Sequence, residues 1–129
     1  MVNSILIGKL IYNLLSNDEA LKGMVKNRIY PLIAEQETKL PFVIYYRTNI
    51  ISNGSKDGYT EDSITFNITT VSADYKGSLD IANRLRQIIE KRKIETTDLT
   101  LYNVRLISID ESYEDNAYVQ KLEFECKAY

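Results

Sequence analysis

Between Ser4 and Leu15, the residues Ile7, Leu10, Ile11, Leu14 and Leu15 recur at spacings of three and four, which predicts a first helix with one apolar face. Ser16 followed by Glu19 has the form of a capping box, and it predicts a short second helix over about Asp18 to Val25. Pro31 and Pro41 each turn the residue before them away from helix, so Asn27 to Pro41 reads as extended chain crossing the surface.

The run Phe42 to Ile51 is rich in β-branched and aromatic residues. In the next run Ile64, Phe66 and Ile68 alternate with Thr65, Asn67 and Thr69. Both runs predict strands. They are joined by Ser52 to Thr60, which contains Asn53-Gly54 and Asp57-Gly58, pairs that tolerate positive φ, so the two strands should form an antiparallel hairpin with a loop longer than a tight turn.

Asp74 or Ser78 is placed to cap a long helix reaching about Lys93, with Leu79, Ala82, Leu85, Ile88 and Ile89 as its apolar stripe. Arg84, Arg86, Lys91, Arg92 and Lys93 gather toward its C-terminal half, where cations complement the helix dipole. Leu99 to Ile109 reads as a third strand and Tyr118 to Ala128 as a fourth, joined through the acidic stretch DESYEDN. In the last strand Leu122, Phe124, Cys126 and Ala128 alternate with Lys121, Glu123, Glu125 and Lys127, giving one buried and one wet face. The expected architecture is a single α+β domain over residues 1–129. It should consist of an antiparallel four-stranded sheet with helices on one face, in the order helix, short helix, strand, strand, helix, strand, strand.

Composition narrows the chemistry. The chain of 129 residues contains no His and one Cys, so it cannot assemble a Ser-His-Asp, Cys-His or Cys/His zinc site. Cys126 shares its strand face with Leu122, Phe124 and Ala128, which suits a core thiol rather than a nucleophile, and no cofactor or catalytic residue is expected. Asp110, Glu111, Glu114 and Asp115 do not follow the spacing of a calcium loop, and they read as a solvated hairpin with no metal role. The five glycines are scattered and form no phosphate-cradling loop. A formal charge of −2 gives no general attraction for nucleic acid or anionic lipid, and the apolar N-terminal stretch is too short and too interrupted to span a membrane. Ten tyrosines against three phenylalanines stand out. They fit either strand positions that favour them or a protein interface. The basic stripe and the acidic hairpin are either solvated faces or two halves of a subunit contact.

Over RIYPLIAEQETKLPFVIYYR, Arg28 to Arg47, the sequence resembles the tail-completion family of long-tailed bacteriophages and prophages, also called tail-terminator or tail-to-head joining proteins. The resemblance continues through the first helix and NDEALKGMV, through FNITTVSADYKGSLDIANRLRQIIE, and into the closing YVQKLEFECKAY. It implies a small subunit, not an enzyme, that forms a homo-oligomeric ring, typically of six copies, at the head-proximal end of the tail tube. That ring would stop tube polymerisation and dock on the head connector. It implies the tail tube protein and head-connector or neck proteins as partners, with no small-molecule substrate or membrane. It also implies assembly in the bacterial cytoplasm followed by a place in the virion tail. Lys56, Asp57 and Tyr59 in the first hairpin loop are the expected docking residues. The alternatives are a head-completion or neck ring protein, or a small nucleic-acid-binding α+β module built on a sheet carrying Tyr45, Tyr46 and Arg47.

Overall fold

The computed structural model describes residues 2–54 and 60–129. A single 3₁₀ turn, Ser4–Leu6, leads into α1 (Ile7–Ser16), followed by α2 (Glu19–Val25), β1 (Ile29–Pro31), β2 (Phe42–Gly54), β3 (Thr60–Ser72), α3 (Tyr75–Ile89), β4 (Lys93–Glu95), β5 (Thr100–Glu114) and β6 (Ala117–Ala128). The strands form one curled, mixed sheet in the order β1-β2-β3-β6-β5-β4. This corrects the expected antiparallel four-stranded sheet. The four long strands are antiparallel as expected, but β1 adds to β2 in parallel and β4 adds to β5 on the far side. Each added strand has three residues, too few to show a period of two. In β4 only Ile94 is buried, and β1 ends on Pro31, which has no N–H to give.

One face of the sheet holds the core. Val43 and Tyr45 of β2, Ile64, Phe66 and Ile68 of β3, and Leu122, Phe124 and Cys126 of β6 are buried on it. Phe66 and Phe124 lie directly opposite in the β3–β6 register, and their rings stack at 5.4 Å. Helix α1 brings Ile7, Leu10, Ile11 and Leu15 to this core, and α3 brings Ile81, Ala82, Leu85 and Ile89. The opposite face is polar along much of its length, and there Asn67 and Thr69 are buried and bonded to each other at 2.6 Å.

Four local features differ from the expectation. Asp18, not Ser16, caps α2: its carboxylate accepts from the Leu21 N–H at 2.9 Å, whereas Ser16 closes α1. Helix α3 is capped by Asp74, one of the two residues expected there, through the Gly77 N–H at 3.3 Å, but it stops at Ile89 rather than near Lys93. It stops because Glu90 leaves the helical region and its carboxylate takes the Leu106 N–H of β5 at 2.8 Å as well as Arg86 Nε at 2.9 Å. The face of α3 is also rotated: Ile81 and Ser78 are buried, and Leu79 is exposed. Buried Ser78 is tolerated because its hydroxyl donates to the Tyr75 carbonyl at 2.7 Å and accepts from Gln120 at 3.3 Å.

The fourth difference is the acidic link. Asp110 to Glu114 continue β5, and the turn is only Asp115-Asn116, both at positive φ (49° and 63°). Two residues in that conformation match the right-handed twist of the flanking strands, and Asp and Asn are among the few side chains that adopt it readily.

Candidate functional site

The β5–β6 hairpin forms an arm whose β5 residues from Ile107 to Glu114 are all exposed. On its helix side Glu111 accepts from the Tyr75 hydroxyl and from Gln120 Nε2, each at 3.1 Å. The bond to Glu111 holds the Tyr75 phenol above its ordinary pKa. Tyr118 packs between Tyr75, at 5.7 Å, and Tyr113, at 4.9 Å. Together these residues line a shallow hollow of about 250 Å³. Asp110, Glu111, Glu114 and Asp115 form no ion pair among the described residues.

The β2–β3 hairpin forms a second arm, pointing the opposite way along the sheet. An extra residue at Thr48 interrupts its pairing with β3, and the Thr48 hydroxyl donates to the Thr65 carbonyl at 3.0 Å. Beyond it Ile51 is exposed. Lys56, Asp57 and Tyr59, the docking residues expected from the sequence, lie outside the described residues.

A third feature is a groove of about 540 Å³ beside the polar face of the sheet. The segment 32–41 forms one wall, with Leu32 and Ile33 strongly exposed, and Phe42, Ile44, Val71 and Val119 form the floor. The segment is anchored by Arg28, whose guanidinium donates to the Pro41 carbonyl at 2.8 Å.

The basic stripe is largely used up inside the chain. Arg84 binds Asp18, Arg86 binds Glu90, and Lys93 pairs with Glu95 and sits 5.6 Å from the Tyr102 ring. Lys91 and Arg92 form no ion pair among the described residues. The tyrosines divide between the two readings: Tyr45 is core, while Tyr12, Tyr75, Tyr113 and Tyr129 are exposed. Cys126 is buried, and burial pushes its thiol up to about 12. No group of three or more acidic or Cys residues among those described is placed to hold a metal ion. None of the described helices is long and apolar enough to cross a membrane. What the surface offers is two hairpin arms with exposed apolar and aromatic side chains, and a groove lined by both apolar and acidic residues.

A family model described as tail completion protein gp17 matches residues 9–129. The chain belongs to this tail-completion family. It is a phage-type structural tail protein, and its family is one of structural virion components. Among solved structures the chain is similar to a component of the virion of a native gene transfer agent particle. The TM-score is 0.79 at 13% identity, covering 92% of this chain and 90% of that one, which shows a shared fold. No curated protein sequence matches the chain. The tail-completion resemblance seen in the prolines and strands of Arg28 to Arg47 therefore holds over nearly the whole chain.

Proposed function

We propose that this tail-completion protein forms a homo-oligomeric ring, of six copies, at the head-proximal end of the tail tube, where it ends tube polymerisation and joins the tail to the head connector. The observation that supports this reading is the pair of exposed hairpin arms at opposite edges and opposite ends of one sheet. Two different surfaces on one subunit make a head-to-tail contact, and such contacts close into rings when their rotation divides a full turn. The ring then offers one side to the tube protein and the other to the connector or neck proteins, with Lys56, Asp57 and Tyr59 as docking residues.

Light scattering after size exclusion, over a concentration series and with tail tubes added, tests the reading. A closed hexamer of the 14.9 kDa chain, alone or on tube ends, is the expected result. Tubes that keep lengthening in the presence of excess protein would overturn it. Deleting residues 55–59 should leave the ring intact and abolish head joining; unchanged joining would remove the loop from the docking surface.

A further inference from the structure

Neither outer edge of the sheet is covered along its whole length. On one side β1 pairs with β2 at Val43 to Tyr45, and residues 46–54 have no outer strand among the described residues. On the other side β4 covers Thr100 to Tyr102, and backbone bonds from Asn103 to Arg92 and from Val104 to Lys91 extend that cover. Glu90 then takes the Leu106 N–H, and from Ile107 to Glu114 the β5 edge is bare. It carries exposed Ile107, Ile109 and Tyr113, and the β2 edge carries exposed Ile51. Long bare edges with apolar side chains are templates for another strand.

The two bare edges suit each other. β5 runs antiparallel to β2, because each neighbouring pair in β2-β3-β6-β5 is antiparallel. A second copy set beside the first in the same orientation therefore continues the alternation with its β2 against the first copy's β5. The hydrogen-bonding phase also fits. Glu114 and Ala117 flank a two-residue turn and bond to each other, so every second residue back from them, Tyr113, Glu111 and Ile109, turns its N–H and C=O outward. On β2, Val43 donates outward to Arg28 and Tyr45 accepts from Leu32; the extra residue at Thr48 shifts the phase, which turns Ile50 and Ser52 outward. Ile50 and Ser52 point to the same sheet face as Ile109 and Glu111, since Ile50 pairs with core residue Ile64 while Ile109 and Glu111 pair with Leu122 and Gln120.

We infer that neighbouring copies join by antiparallel strand pairing of the β5 edge with the next copy's β2 edge, with Ile109 opposite Ser52 and Glu111 opposite Ile50. This register keeps the two strands in phase from Ser108 to Ser112 against Asn49 to Asn53, between the irregularity at Thr48 and the one at Ile107. It rests on the proposed ring for the number of copies. Within one copy Tyr45, Ile68, Leu122 and Ile109 form a row across the sheet, so placing Ser52 beside Ile109 displaces each neighbour along the strands. The displacement is about six residues, or about 20 Å, against a width of about 19 Å for four strands. The strands then tilt by about 45° from the ring axis, at the upper end of the roughly 35–45° that closed sheets adopt.

Disulfide trapping tests the pairing. Ile51 and Asp110 fall opposite each other in this register at a non-hydrogen-bonded position, where side chains approach most closely. Mixing I51C protein with D110C protein under mild oxidation should give a disulfide-linked dimer. Neither variant alone should give it, and nor should I51C mixed with K76C, whose site is on exposed α3. A mixture that crosslinks no more than the K76C control overturns the edge pairing. Light scattering on the same samples separates this from the ring. A closed hexamer without the crosslink overturns the edge pairing alone. The crosslink in species that lengthen without closing supports the pairing and overturns the ring. Monomer without crosslink, with tail tubes present, overturns both.

Discussion

Arg84, in the middle of α3, donates from Nε and Nη2 to the two carboxylate oxygens of Asp18, the residue that also caps α2. One carboxylate thus ends one helix and ties it to another that lies 66 positions away in sequence. The Arg84 bond holds Asp18 below the usual aspartate pKa, outweighing the opposing effect of burial, and the Leu21 N–H adds to it.

This dual role separates two variants. Asp18→Ala loses both cap and ion pair and should cost about 1–2 kcal/mol from the cap alone. Asp18→Asn keeps a capping oxygen but loses the charge and one of the two acceptors that face Arg84, so urea melts should place it between Asp18→Ala and the unmodified protein.

The sign of the pH effect follows from the same pair. A lowered folded-state pKa means that the stabilisation is fully present above the unfolded aspartate value and is lost as pH falls through the folded value. Glu90, lowered first by the Leu106 N–H and then by Arg86, acts in the same direction. Stability measured from neutral pH downward should therefore fall below about pH 4, and less steeply in Asp18→Asn than in the unmodified chain.

Phe66 and Phe124 are the largest fully buried side chains, stacked across the central strand pair. Phe66→Ala or Phe124→Ala should cost about 3–5 kcal/mol, because the surrounding strands cannot collapse into the space. Chemical denaturation should also show sub-additive losses in the double variant, since the two rings share one contact.

Cys126 should not react with a thiol reagent at pH 8 in the folded chain, since its thiol stays protonated until about 12 and is covered by its strand neighbours. Labelling should become rapid in urea. Fast labelling of the native protein would show that the β3–β6 pair opens locally.

At the two-residue turn, Asn116→Gly should be neutral or slightly stabilising, and Asn116→Val should cost about 1–2 kcal/mol, because a β-branched side chain clashes at positive φ. Thermal melts of the two variants give the comparison.

What was legible in the sequence were the elements that bury one face. The spacing of Ile7, Leu10, Ile11 and Leu15 marks α1, and the alternation around Phe66 and Phe124 marks the central strands. The acidic end of β5 escaped because a strand wet on both faces has no alternation to read, so Asp110 to Glu114 look like loop. Ile29 to Pro31 and Lys93 to Glu95 escaped because three residues carry no period. Ser78 and Leu79 exchanged places because Ser78 has its buried hydroxyl satisfied by Tyr75 and Gln120, partners that only the fold brings near. The family could be recognised from the sequence, but the bare edges could not: which edge is open depends on how strands are ordered in the sheet.

The Glu90 carboxylate on the Leu106 N–H has a further effect. It occupies the last amide before the bare stretch of β5, so a strand arriving from outside meets a filled position and can advance no farther toward β4. In the proposed pairing Glu90 works as a doorstop, halting the contact at the same residue in every copy.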